Sequence, residues 1–286
     1  MEKKYIKPKA KINLTLNILG TREDGYHELE SIFECIYLYD EMEIKKLKEA
    51  NTIKILCNNK NLEKNNILIK AYEELKKRYK KITGIHVKLN KKIPAQTGLG
   101  GASGDCAYFI LAMNKLFSLN MKQEEMEMIG ACLGADVVSC IKKNTSICTG
   151  IGEKSKIIEN NAKYYIIVIK PKISLSTVEM YRKYDETKKL ETINNNKQMI
   201  KALKENNIQE ISRNLYNDFE KIVQDEKEIT ESKEILLKLG ADGALMTGSG
   251  SAVFGIFKEK QQAKKAYYEL KKEKEVYYCI PYRKRG

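Results

Sequence analysis

The stretch KKIPAQTGLGGASGDCAYFI, residues 91–110, gathers four glycines where two regular patterns meet. Before it, GIHVKLN (84–90) alternates apolar and polar side chains, which is typical of a β-strand. After it, residues 104–118 place apolar side chains at helical spacing. The order is strand, glycine loop, helix, so the loop is either a flexible linker or a cradle of backbone amides for an anion such as phosphate.

The spacing of the glycines excludes three common phosphate-binding motifs. A Walker A loop needs lysine directly after glycine, and no glycine of this chain is followed by lysine. A Rossmann motif needs a third glycine where this chain has Ser103, and the HRD and DFG motifs of protein kinases are absent. Consecutive glycines still let backbone N–H groups converge on an anion, and Pro94 stiffens the approach to them. Physical chemistry therefore favours a cradle of another kind.

Charge is high but not concentrated in one segment. The 286 residues carry 52 basic and 38 acidic side chains, a net charge of +14. Lysines are mixed with glutamates along the whole chain, as in KKLKEA and EELKKRYKK, which is typical of solvated helix faces. We therefore expect no nucleic-acid partner, although a positive potential attracts small polyanions such as nucleotides.

Composition also bears on location and on metals. No apolar run approaches the roughly 20 residues that span a bilayer, and MEKKYIKPKAK lacks the apolar core of a secretory signal. The seven cysteines form no C-x-x-C pair, and the chain has only two histidines. The sequence predicts a cytoplasmic protein with reduced thiols, no membrane partner and no metal ion held by protein side chains alone.

Strands and helices are predicted throughout the chain. The segment AKINLTLNIL (10–19) alternates, which predicts a half-buried strand with Lys11 and Asn13 opposite its apolar face. The other predicted strands are 52–57, 84–90, 164–171, two around the glycines of 243–257, and 276–280. The predicted helices are 65–79 with an asparagine cap, 104–118, 122–134, several within 177–239, and 260–273. Asp136 is expected where a new helix or turn begins, and TGIGEK (149–154) as a tight turn. This mixture indicates an α/β (α+β) fold.

Motifs along the chain together resemble the GHMP kinase superfamily of small-molecule kinases. IPAQTGLGGASGDCA (93–107) resembles its P-x-x-x-G-L-G-G-G-S-S-D-A-A loop, and MTGSGSAVFGIF (246–257) resembles its C-terminal glycine motif. PKAKINLTLNILGTREDGYHELESIF (8–33) resembles the opening of the branch that phosphorylates 4-diphosphocytidyl-2-C-methyl-D-erythritol. LGADVVSCI, TGIGE, IKPKISLSTVEMY and NDFE are similar to further segments of that branch, in the same order.

The resemblance implies phosphate transfer from ATP to the 2-hydroxyl of that compound, in the non-mevalonate isoprenoid pathway. ATP is expected at the glycine loop with Mg²⁺ bridging its phosphates, and Ser103 is the candidate for a hydroxyl near the ion. The expected loop residues are Pro94, Ala95, Gln96, Thr97, Gly98, Leu99, Gly100, Gly101, Ala102, Ser103 and Gly104.

Two residues receive catalytic roles from the resemblance. Asp136 would accept the proton of the substrate hydroxyl, and Lys11 would lie beside it, keeping the carboxylate ionised and steadying charge on the attacking oxygen. Taken singly, Lys11 could be a solvated strand lysine and Asp136 a helix N-cap.

Five further residues are expected to bind the substrate. Tyr26 and His27 are similar to the pair that meets the cytosine ring, one by stacking and one by hydrogen bonding. Tyr181 aligns with an aromatic residue on the other face of that ring, Thr177 with a nearby polar contact, and Asn13 would reach the erythritol or phosphate part. Taken singly, a Tyr-His dipeptide more often lies on the surface without a function, and Tyr181 would more often serve helix packing.

The chain departs from the family pattern at a few positions, and other functions stay open. The loop has Ala102 and Gly104 where the family usually has glycine and serine, Cys106 replaces alanine, and residues 138–140 replace a proline and aromatics. The alternatives are a homoserine or mevalonate type of GHMP kinase, which the DGYH block argues against, and a non-catalytic nucleotide-binding relative. A nucleic-acid binder is the third.

The implied architecture has two lobes. An N-terminal ATP-binding lobe is expected at 1–155 and a C-terminal ferredoxin-like lobe at 156–286, with the substrate in a cleft between them. The expected partner is the small-molecule substrate, and the expected assembly is a monomer or a homodimer.

Overall fold

A computed structural model describes residues 2–47, 51–187 and 191–283. The strands are β1 (Lys3–Ile6), β2 (Lys9–Thr21), β3 (His27–Tyr39), β4 (Glu41–Lys46), β5 (Ile53–Cys57), β6 (Ile85–Asn90), β7 (Ser146–Gly150), β8 (Lys154–Ile157), β9 (Tyr165–Lys170), β10 (Tyr216–Asn217), β11 (Gly243–Met246), β12 (Val253–Phe257) and β13 (Glu275–Cys279). The helices are α1 (Asn61–Lys64), α2 (Ile67–Arg78), α3 (Gly101–Leu116), α4 (Gln123–Leu133), α5 (Ala135–Lys142), α6 (Thr177–Glu186), α7 (Asn196–Lys204), α8 (Ile208–Arg213), α9 (Lys227–Lys238) and α10 (Lys260–Leu270). This mixture confirms the predicted fold class.

The chain forms two compact units, each built from several segments. The first unit comprises Met1–Ala10, Leu38–Ile93 and Gly100–Lys142, and the second comprises Lys11–Tyr37, Pro94–Leu99 and Lys143–Gly286. The division into sequence domains 1–155 and 156–286 stays a prediction.

The first unit holds a four-stranded sheet in the order β1-β4-β6-β5. Strand β6 pairs antiparallel with β4 and parallel with β5. Its alternation places Ile85, Val87 and Leu89 in the core, as the sequence predicts. Helices α2 to α5 pack on one another in this unit, and the short apolar helix α5 contacts both α3 and α4.

The second unit contains an antiparallel sheet in the order β11-β12-β9-β13. In chain order these strands are second, third, first and fourth, which is the arrangement of a ferredoxin-like fold. Helices α9 and α10 contact this sheet and share its apolar core. The ferredoxin-like expectation for the C-terminal half is therefore confirmed.

Strand β2 differs from its prediction because both of its faces are buried. Ile12 and Leu14 lie in the core as expected, but Lys11 is only 4% exposed. The polar face is covered because its side chains have polar partners within the second unit: the Thr15 hydroxyl donates to Asn196, and the Asn17 side chain donates to the Ile193 carbonyl. The predicted half-buried strand was wrong in this respect, and so was the alternative of a solvated lysine.

Helix boundaries follow the sequence closely, with one correction. The Asn66 side chain accepts a hydrogen bond from the Leu68 N–H and caps α2, as predicted. Helix α3 begins at Gly101 and not at Gly104, so the last glycines of the cluster belong to its first turn. A Cβ on Gly104 would lie 2.4 Å from the Lys9 carbonyl oxygen, so this glycine permits close packing of backbone on backbone and is not a flexible linker.

Within the described residues, no helix combines the length and the apolarity needed to cross a membrane. The same residues contain no group of three His, Cys, Asp or Glu side chains that could hold a metal ion.

Candidate active site

The first half of the glycine loop is a fixed turn within the second unit. The Thr97 hydroxyl donates to the Pro94 carbonyl at 2.8 Å, and the Ala252 N–H donates to the Thr97 carbonyl at 3.1 Å. Gly98 has φ of +73°, and a Cβ at this position would lie 2.0 Å from the Thr247 carbonyl oxygen. Only glycine fits there, because both the left-handed backbone and the close approach exclude a side chain. The linker alternative is therefore excluded for this half of the loop.

The second half of the loop opens helix α3 in the first unit. Gly100 is in the left-handed conformation, with φ of 66°, directly before the helix. Gly101, Ala102 and Ser103 form the first turn, where backbone N–H groups have no acceptor within their own helix. Together with the positive end of the helix dipole, these groups can bind an anion.

A second glycine turn packs against the first within the second unit. It spans 247–251 between β11 and β12, and the Asn217 side chain donates to the carbonyls of Met246 and Gly248, both at 2.8 Å. A Cβ on Gly248 would lie 3.2 Å from Gly98 Cα. Asn217 is the first residue of the NDFE segment, but no local pattern in the sequence marks it as the residue that holds this turn.

Lys11 lies beside both glycine turns of the second unit. Its ammonium donates to Asn13 Oδ1 at 2.7 Å, and its backbone N–H donates to the Leu99 carbonyl at 3.0 Å. A Cβ on Gly248 would lie 3.4 Å from Lys11 Nζ. The Asn13 N–H donates to the Thr247 hydroxyl at 2.9 Å. A buried cation therefore faces backbone turns that can approach a ligand closely, which suits the neutralisation of an anion.

Asp136 belongs to the first unit. It is the second residue of α5 and half-buried, so it lies inside the first helical turn and is not the N-cap. A carboxylate in this position interacts favourably with the helix dipole. The pairing of Asp136 with Lys11 stays a prediction.

The aromatic residues predicted for the substrate lie in the second unit. His27 is 7% exposed and stacks on Tyr181, with ring centroids 4.7 Å apart, whereas Tyr26 is 60% exposed. His27 Nε2 lies 2.7 Å from Asp185 Oδ1, and Tyr184 meets the same imidazole edge-on. The structure brings His27 and Tyr181 together, and their contacts with a cytosine ring stay a prediction. Asp185 and Tyr184 were missed, and their spacing from Tyr181 along α6 is the only pattern that could have indicated them.

Thr177 also reaches the second glycine turn. Thr177 is the first residue of α6, and its hydroxyl lies 2.8 Å from the hydroxyl of Ser249 in that turn. The beginning of this helix and the turn 247–251 are thus joined directly, and Ser249 is a further residue that the sequence did not single out.

A buried ion cluster supports the start of α3 in the first unit. The Lys91 ammonium donates to Asp105 at 2.7 Å and also to Asp40, whose other oxygen accepts the Ile93 N–H at 2.8 Å. A Cβ on Gly101 would lie 3.3 Å from Lys91 Nζ. Burial, together with a smaller effect of the neighbouring Asp40, raises the pKa of Asp105 to about 7 against the opposing effect of Lys91.

This cluster predicts a pH dependence of stability. The pKa of Asp105 is about 7 in the folded chain and near 3.8 when unperturbed, so the folded state holds this proton more tightly. The stability that this proton contributes is complete below about pH 4 and is lost as the pH rises through about 7. Urea unfolding of wild type and Asp105→Asn between pH 4 and 8 should show wild type losing stability relative to the variant. Parallel curves would contradict the assignment.

Comparisons with protein families agree with this architecture. Residues 66–144 match the GHMP kinases N terminal domain, and residues 199–276 match the GHMP kinases C terminal domain. These two matches cover the start of α3 and the second glycine turn, which are the regions built on close backbone contacts.

Similar proteins narrow the family. The chain is 40% identical to a protein of Thermoanaerobacter pseudethanolicus named 4-diphosphocytidyl-2-C-methyl-D-erythritol kinase, over 97% of this chain and 94% of that protein. A crystal structure of 4-(cytidine 5'-diphospho)-2C-methyl-D-erythritol kinase has a TM-score of 0.80 at 25% identity, covering 98% of this chain and 100% of the other. A homoserine kinase from Cytophaga hutchinsonii has a TM-score of 0.79 at 17% identity, covering 99% and 96%, so it shows the fold alone. The chain belongs to the GHMP kinase family, in the branch of the 4-diphosphocytidyl-2-C-methyl-D-erythritol kinases.

Proposed function

We propose that this chain transfers a phosphoryl group from ATP to the 2-hydroxyl of 4-diphosphocytidyl-2-C-methyl-D-erythritol, a step of the non-mevalonate isoprenoid pathway. One observation carries the proposal: a buried lysine, its asparagine partner and two glycine turns meet in the second unit. The names of the relatives supply the substrate.

ATP would bind along the glycine loop. The turn at 94–99 and the first turn of α3 present backbone N–H groups without side chains at the critical positions, which suits an extended phosphate chain. Mg²⁺ in kinases is bound largely through the substrate phosphates, and a serine or threonine hydroxyl at a phosphate loop can be a further ligand, so Ser103 would hold the ion at this turn. When bound, the ion would neutralise phosphate charge.

The acceptor hydroxyl needs a base and a compensating charge. We assign the base to Asp136, whose carboxylate takes the hydroxyl proton as the oxygen attacks. Lys11 offsets the negative charge that grows on this oxygen and on the transferred group, and Asn13 orients the lysine and contacts the acceptor. Covalent help is not required, because phosphoryl transfer depends chiefly on alignment and electrostatics.

The cytidine part would be read by the aromatic cluster. The Asp185 carboxylate is an acceptor, so the His27 nitrogen facing it carries the proton. The other ring nitrogen of His27 is the one left to form a hydrogen bond with the cytosine ring. Tyr26 and Tyr181 supply stacking surfaces, and Thr177 a polar contact. None of the seven cysteines, all of which lie in the described residues, is in a disulfide, which supports a cytoplasmic location.

An assay of ATP consumption tests the proposal. The panel contains 4-diphosphocytidyl-2-C-methyl-D-erythritol, its cytidine-free methylerythritol phosphate, a cytidine diphosphate without the erythritol, homoserine and mevalonate. Turnover should require both the cytidine and the erythritol parts. Efficient turnover of a cytidine-free acceptor would assign the chain to another type of GHMP kinase, and nucleotide binding without any turnover would make it a non-catalytic relative.

A further inference from the structure

The orientation of the Asn13 side chain is fixed by hydrogen bonds on both sides. Its oxygen accepts from the Lys11 ammonium at 2.7 Å, and its NH₂ group donates to the Ser31 hydroxyl at 2.8 Å. The Ser31 hydroxyl in turn donates to the Thr15 carbonyl at 2.6 Å. These residues are all in the second unit, and Lys11, Asn13 and Ser31 are buried.

The direction of this chain of hydrogen bonds follows from counting protons. A serine hydroxyl has one proton, and Ser31 uses it on the Thr15 carbonyl, which can only accept. Ser31 must therefore accept from Asn13, so the NH₂ end of the carboxamide faces Ser31. The oxygen end is then directed at Lys11, whose ammonium can only donate.

We propose that Ser31 is a positioning residue for Lys11, acting through the orientation of Asn13. Without the hydroxyl, the buried Asn13 NH₂ group has no acceptor at residue 31, and the carboxamide is held from the Lys11 side alone. A carboxamide that turns to find another acceptor for its NH₂ group moves its oxygen away from the Lys11 ammonium. The ammonium would then shift from its place beside the glycine turns. This inference rests on the proposed role of Lys11 in phosphoryl transfer.

Thr247 does not replace this control. Its hydroxyl accepts the Asn13 backbone N–H at 2.9 Å and lies 3.4 Å from Asn13 Oδ1. A hydroxyl can donate to the oxygen or accept from the NH₂ group, so Thr247 tolerates either orientation of the carboxamide. Ser31 and Lys11 each match only one orientation, and Ser31 is the residue that fixes the NH₂ end.

A double-mutant cycle between Ser31 and Lys11 tests the inference. We expect Ser31→Ala to lower kcat about ten-fold while the KM values for ATP and acceptor change less than about three-fold. In the Lys11→Met background, Ser31→Ala should lower kcat less than about two-fold, because the ammonium that Ser31 positions is absent. Ser31→Thr, which retains the hydroxyl, should restore most of the rate.

Ser146→Ala is the matched control. Ser146 is a buried serine on the adjacent strand β7, and its hydroxyl donates to the Asn144 carbonyl, so its loss should leave kcat unchanged. If Lys11→Met is slow but Ser31→Ala lowers kcat equally in both backgrounds, the positioning role alone is overturned. The same holds if Lys11→Met is slow and Ser31→Ala does not lower kcat at all. A Lys11→Met enzyme as fast as wild type would instead overturn the proposed role of Lys11, and the positioning role with it.

Discussion

Asp136→Asn should fold as wild type does and lose turnover by at least about a hundred-fold. The change keeps the shape of the side chain and removes the carboxylate that we assign as proton acceptor. Removing one acidic residue from the first turn of α5 weakens its interaction with the helix dipole by only about 0.5 kcal/mol, which a stable fold tolerates. The measurements are kcat with 4-diphosphocytidyl-2-C-methyl-D-erythritol, the Kd for ADP and the midpoint of thermal unfolding.

Glu124→Gln provides a matched control for Asp136→Asn. Glu124 is also an acid in the first turn of a helix of the first unit, α4, and it is exposed. Both variants exchange a carboxylate for an amide at a helix start, so a general effect of charge should appear in both. We expect the wild-type kcat for Glu124→Gln, and for Asp136→Asn almost no turnover but normal binding of ADP. An Asp136→Asn enzyme with the wild-type rate would refute the base assignment.

Local chemistry made much of this fold predictable from the sequence. The alternation of 84–90, the asparagine before α2 and the glycines between β11 and β12 each act over a few residues, and each produced the expected element. The strand order of the ferredoxin-like half is set by distant pairings, and it came from the family resemblance instead.

The remaining features depend on contacts between distant parts of the chain. The sequence predicts a half-buried β2 because nothing near its polar residues indicates their distant partners. Asn196, the partner of Thr15, lies 181 residues further along the chain. Asp185 meets His27 across a separation of 158 residues, and Asn217 reaches the turn at 247–251. Hydrogen-bond partners of this kind have no local pattern, so only the folded chain reveals them.

Lys11→Met should lower kcat by roughly a hundred-fold without destabilising the fold. The Lys11 ammonium is buried with Asn13 Oδ1 as a neutral partner, and it lies 5.6 Å from the centroid of the Phe33 ring. A methionine of similar length would fill the same space with apolar atoms, so the change removes the charge and keeps most of the packing. An electrostatic role in phosphoryl transfer predicts that the rate depends on this charge more strongly than the fold does.

Lys11→Met should therefore lower kcat while the thermal midpoint stays near that of wild type. Lys9→Met is the matched control, because Lys9 is also buried on β2 and its ammonium lies 4.3 Å from the centroid of the Tyr39 ring. It shares the burial and the aromatic neighbour but has no assigned part in catalysis, so its rate should stay near that of wild type. A comparable loss of rate in both variants would mean that the strand needs buried positive charge in general. A loss confined to Lys11→Met ties the rate to the one ammonium that Asn13 holds against the glycine turns.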